Sequence, residues 1–96
     1  MPVAKQRVTV EHEKGLHARP ASEFVELATQ FDADIQISTA DGQEGDAKSS
    51  LSIMSLGVEG GDEIVISSDG PDSEDAVQAL VDLVEDDFRL DGDEEE

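Results

Sequence analysis

Gly15-Leu16-His17-Ala18-Arg19-Pro20-Ala21 lies between a run that reads as a strand and a run that reads as a helix, and the rest of the chain is placed around it. Gly15 can take a tight loop conformation with positive φ at no steric cost. Pro20 suits the first turn of a helix, where its missing N–H removes no hydrogen bond. His17 and Arg19 are therefore expected at the mouth of a helix N-terminus. Unpaired backbone N–H groups and the positive end of the helix dipole converge there, which makes an anion site. A titratable imidazole beside a guanidinium suits reversible handling of phosphate, with the ring as nucleophile and the arginine steadying the anion. The bland alternative is a surface histidine capping a helix.

Outward toward the N-terminus, residues 4–10 alternate weakly, with Val8 and Val10 inward and Arg7 and Thr9 outward, and predict the first strand. Residues 11–16 form the loop that carries the site. Toward the C-terminus, Ala18, Ala21, Phe24, Val25, Ala28 and Phe31 fall on one helical stripe, which predicts a helix over 18–31. Ser22, Glu23 and Glu26 are placed on its other side. Ile35 and Ile37 mark a second strand, the Asp41-Gly42 turn returns residues 43–47 as an antiparallel partner, and this feeble third strand is expected at a sheet edge.

Residues 49–56 predict a short helix, serine-capped at its start and stopped by Gly57, with Leu51, Ile53 and Met54 as its apolar members. After the Gly60-Gly61-Asp62 turn, Ile64 and Ile66 alternate with Glu63 and Val65 in a fourth strand over 63–68. Pro71-Asp72-Ser73 opens the last helix, whose stripe is Ala76, Val77, Leu80, Leu83 and Val84. The order is β-α-β-β-α-β-α. It implies an α+β fold, an open sandwich with the helices packed on one face of an antiparallel sheet.

Ninety-six residues make one domain, and the lack of cysteine excludes a disulfide framework and a thiolate metal site. No apolar run approaches transmembrane length and no basic-plus-apolar leader opens the chain, so a soluble, cytoplasmic protein without membrane insertion is expected. Twenty-five acids against six bases give −19. Residues 1–48 carry nine acids and five bases, while residues 49–96 carry sixteen acids and one base. Such a field repels nucleic acid and anionic membranes. It also costs the folded state self-repulsion unless salt screens it, which points to a protein adapted to a saline cytoplasm, as in a halophile, the alternative being an ordinary acidic domain with a disordered acidic tail. With so few bases, Lys14, Arg19 and Lys48 suggest a local anion, while Lys5 and Arg7 belong to the first strand.

Two blocks carry a resemblance. Residues 15–21 are similar to the phosphorylation-site signature of HPr, the histidine-containing phosphocarrier family of the sugar phosphotransferase system. Ala47-Lys48-Ser49-Ser50-Leu51 through Met54-Ser55-Leu56-Gly57-Val58 resembles that family's regulatory-serine segment. The likeness covers about residues 3–88, which implies an HPr-like domain over 1–88 (four strands, three helices on one face) and an acidic tail over 89–96. It implies that His17 accepts a phosphoryl group from phospho-enzyme I and passes it to EIIA domains. Arg19, Lys14 and the backbone N–H at Ala18 would hold the phosphoryl oxygens. No metal or cofactor is implied, and the chain would be a monomeric carrier rather than an enzyme. Ser49 matches a serine that an HPr kinase phosphorylates in some bacteria; its alternative role is a helix N-cap. Leu51, Met54, Ser22 and Glu23 fall on the expected partner-docking surface, with core packing as the alternative for Leu51 and Met54.

This chain departs from the family pattern at several positions. Lys14 stands where a small polar residue is usual, and Ser50 where an aliphatic one is. Glu23 and Glu26 replace neutral or basic residues. His12 has no counterpart in the motif and reads as a solvated loop histidine. Two other roles stay open: a regulatory HPr-like binding module, or a phosphocarrier for a non-transport acceptor such as a dihydroxyacetone kinase.

Overall fold

The computed structural model describes residues 3–11 and 18–86, so His12, Lys14, Gly15 and His17 lie outside the described residues, as does the tail over 89–96. Seven elements follow in the expected order: β1 (Val3–Thr9), α1 (Ala18–Ala28), β2 (Asp34–Thr39), β3 (Glu44–Asp46), α2 (Ser50–Ser55), β4 (Glu63–Asp69) and α3 (Ser73–Glu85). The four strands form one antiparallel sheet in the order β1-β4-β2-β3, with the three-residue β3 at an edge. In β4, Ile66 lies between Gln6 of β1 and Ile37 of β2. Period-two alternation then turns Ile35, Ile37, Ile64 and Ile66 to one face, where all four are buried.

The helices cover that face. Phe24 of α1, Ile53 of α2 and Leu80 of α3 are fully buried against the isoleucines; each such side chain contributes roughly 1.5–3 kcal/mol of burial free energy. The opposite face carries Lys5, Gln36, Asp34 and Asp69 and stays exposed.

Three details differ from the sequence expectations. α1 stops at Ala28 instead of continuing to Phe31, because Gln30 and Phe31 donate their N–H groups to the carbonyls three residues back, at 3.0 and 3.2 Å, and so tighten the turn. Phe31 is left half-buried beyond the helix. The buried face of α3 includes Val81, which the narrower predicted stripe omits; α3 packs against β1, β4 and α1 together, so a wider arc is covered. In α2 the roles within the apolar trio separate: Ile53 is buried, while Leu51 is 75% and Met54 40% exposed.

Two glycines are required by the backbone. Gly57 has φ +68 and ends α2 by donating its N–H to the Met54 carbonyl at 3.2 Å. At Gly70 (φ +150), a Cβ would lie 2.8 Å from Ala33 Cα, so the β4–α3 connection passes directly against the start of β2 only because that side chain is missing.

Candidate functional site

Both edges of the segment that carries His17 are anchored. On its N-terminal side, Val10 is fully buried, donates its N–H to the Asp62 carbonyl at 2.9 Å and accepts from Gly61 N–H at 2.7 Å. This extends the β1 contact past the strand ladder. The turn it grips is closed by Glu59 N–H donating to Asp62 Oδ2 at 2.9 Å. On the C-terminal side, Pro20 and Ala21 are buried in the first turn of α1. A proline there holds the helical φ without forfeiting a hydrogen bond.

The charge around the start of α1 is unusual for this chain. Its first turn contains no acid, whereas α3 opens with Glu74 and Asp75. In a chain with twenty-five carboxylates, the positive end of the α1 dipole is thus left unneutralised within its own first turn, which suits an incoming anion. Arg19 stands in that turn with its side chain 55% exposed, and its Nη2 lies 3.1 Å from Glu23 Oε2, one helical turn on. Glu23 is not on the solvated side of α1 with Ser22 and Glu26. Its side chain is only 17% exposed, and Oε1 is buried with no hydrogen-bond partner among the described residues. Sequence inspection missed this pair, although the i, i+4 spacing of opposite charges on a helix was its signal.

The remaining bases do other work. Lys48 is expected from its position to attend the anion, but its Nζ donates to the Phe31 carbonyl at 2.7 Å, past the C-terminal end of α1. An eleven-residue helix is about 16 Å long, so this ammonium sits at the wrong end of α1 for the Arg19 site. Arg7 lies 3.8 Å from Glu63 on the sheet surface, and Lys5 faces Ser67 across the ladder. Lys14 lies outside the described residues. Ser49 caps α2: its Oγ accepts from Ser52 N–H at 3.3 Å, as its N-cap reading requires.

α1 packs against α2, so Arg19 and Ser22 occur on one helix while the exposed Leu51 and Met54 occur on its neighbour. A short helix that buries Ile53 and leaves two large apolar side chains in water presents a surface suited to a protein partner. The alternative assignment of Leu51 and Met54 to the core is ruled out by their exposure. Among the described residues, no group of His, Cys, Asp and Glu is arranged to hold a metal ion, and no helix is long and apolar enough to cross a membrane.

Comparison with known proteins gives concordant matches. The model of the PTS HPr component phosphorylation site matches residues 4–86. The phosphocarrier protein HPr of Streptomyces coelicolor is 45% identical over 82 residues, which span 85% of this chain and 88% of that protein. The phosphocarrier protein HPr of the halophile Haloferax volcanii is 46% identical over 83 residues, covering 83% and 91% of the two chains, a relative in keeping with the acidic composition. Among solved structures, an HPr from Thermoanaerobacter tengcongensis superposes with a TM-score of 0.85 at 39% identity, over 96% of this chain and 99% of the other.

Proposed function

This chain belongs to the HPr family of phosphocarriers of the phosphotransferase system, and from that premise we propose that His17 is its carrier residue, loaded by phospho-enzyme I and unloaded by EIIA domains. The observation that carries this reading is the family match across residues 4–86 together with an arginine in an acid-free helix start two residues after His17. A ring nitrogen of His17 attacks phosphorus with its lone pair. The bond from phosphorus to the donor atom breaks, its electron pair returns to the donor, and the donor takes up the proton that the His17 ring releases. Arg19, the Ala18 N–H and Lys14 hold the phosphoryl oxygens. The added charge of roughly −1.5 to −2, the value for phosphohydroxyl side chains, is balanced by that cluster and the α1 dipole. The chain acts as a substrate of its two partners and not as an enzyme, and it works in a saline cytoplasm. Leu51, Met54 and Ser22 meet those partners, and Ser49 is the site for a regulatory kinase.

The test is phosphoenolpyruvate-dependent labelling with the cognate enzyme I in molar KCl. The label is expected on His17, labile to acid and stable to alkali, with His17→Ala unlabelled and His12→Ala labelled as the parent is. Label that survives acid, or that persists in His17→Ala, refutes the assignment.

A further inference from the structure

We infer that Glu23 is a positioning residue that holds the Arg19 guanidinium in the unphosphorylated chain and must release it when phosphate arrives. The inference rests on the carrier role proposed for His17 and goes beyond it by assigning the residue that sets how firmly the phosphoryl group is kept. Arg19 Nη2 and Glu23 Oε2 are 3.1 Å apart. Side chains on a helix lean toward its N-terminus, so Glu23 reaches back over the turn that carries Arg19. Its carboxylate is mostly covered, and its second oxygen has no hydrogen-bond partner among the described residues. Arg19 is therefore the only cation within ion-pair reach of Glu23 among the described residues.

This arrangement sets two anions in competition for one guanidinium. Before transfer, Glu23 holds it. Once the bond from the His17 ring nitrogen to phosphorus has formed and the donor has recovered its electron pair and a proton, the phosphoryl oxygens draw on the same guanidinium. Glu23 is then left a largely covered carboxylate with a weakened partner. That loss raises the free energy of the phosphorylated form relative to the free form. The phosphoryl group is held less firmly and is more readily handed on.

The experiment measures the equilibrium constant for phosphoryl transfer from phospho-enzyme I to the full chain in molar KCl, for the parent and for Glu23→Gln, Arg19→Ala and the double variant. Glu23→Gln should raise the constant about threefold, within the range for a partly exposed ion pair, and Glu23→Ala should shift it in the same direction. In the Arg19→Ala background the same change should bring the ratio back near unity. A role confined to stability would leave the constant unmoved. An unchanged or lowered constant in Glu23→Gln, or an equal gain in both backgrounds, overturns the inference while the carrier assignment stands. Failure of the parent chain to take the label on His17 overturns the carrier assignment and this inference together.

Discussion

Arg19 and Asp72 show how single side chains are committed in this molecule. The Arg19 side chain is more than half exposed and takes no part in the core, so its removal should act on transfer and leave the fold intact. Arg19→Ala is expected to slow phosphoryl transfer by at least about tenfold in rapid-quench measurements, with Arg19→Lys restoring only part of the rate because an ammonium lacks the planar fork. Asp72 is the N-cap of α3, yet its side chain makes no capping bond. Its two carboxylate oxygens instead accept from Asp32 N–H and Ala33 N–H, both at 2.9 Å, which ties the start of β2 to the start of α3 beside Gly70. The Asp32 N–H bond, ahead of that from Ala33, holds the Asp72 carboxyl below its ordinary value. A carboxyl depressed in the folded state stabilises above its unfolded-state pKa of about 3.9, and that contribution is lost as pH falls through the lower folded value. Asp72→Asn should therefore melt below the parent at about pH 7, and the gap should close toward about pH 2 in paired thermal melts. A gap that stays constant across this range would exclude the carboxylate as its source.

At the level of elements, α2 divides its work between its two sides. Ile53 is fully buried and Leu51 is three-quarters exposed, two residues away on a helix of six. Ile53→Ala should cost about 2–5 kcal/mol in chemical unfolding, the usual range for an emptied core position. Leu51→Ala should stay within about 0.5 kcal/mol of the parent in the same assay. The order should reverse in partner assays, where Leu51→Ala raises the KM of enzyme I for the carrier and Ile53→Ala, under conditions where it is folded, changes it less. α2 is held from beneath by β3: a Cβ on Gly45 would come within 3.2 Å of the Leu56 side chain and of the Ser52 carbonyl. That close seating lets a six-residue helix hold its exposed residues in place, since so short a helix gains little from its own hydrogen bonds.

Across the whole molecule, charge opposes the core. The chain carries −19, and its C-terminal half holds sixteen acids against one base. α3 concentrates the conflict: Glu74 and Asp75 suit its N-terminal dipole, but its last turn holds no base and ends at Glu85 and Asp86, where the dipole favours cations. Raising salt from about 0.01 M to about 1 M shortens the Debye length from about 30 Å to about 3 Å and removes most of the repulsion among exposed carboxylates. The melting temperature should rise steeply with KCl. Amide exchange at low salt should first appear at the Glu85 end of α3 while β4, hydrogen-bonded on both sides, stays protected. A melting temperature independent of KCl would refute the saline adaptation and leave the carrier assignment untouched.

Amphipathic period and turn chemistry are local properties, and they were enough to determine the element order, the edge position of β3, the Ser49 cap and the inward set Ile35, Ile37, Ile64 and Ile66. The start of α1 beside Arg19 was legible for the same reason: a proline in the first turn of a helix is specified by neighbours in sequence. Which of two similar apolar residues faces water is not specified in this way. Leu51, Ile53 and Met54 differ little in hydropathy, and only the seating of α2 on the sheet edge and α1 sends Ile53 inward. The partners of charged groups were equally hidden when they lay far along the chain. Lys48 reaches Phe31 and Asp72 reaches Asp32 across 17 and 40 residues, contacts that exist only once helices and strands have packed. The sequence alone therefore determined the architecture and the place of Arg19 in the first turn of α1, while tertiary packing decided which charges pair there, because an ion pair depends on distance in space and not on separation along the chain.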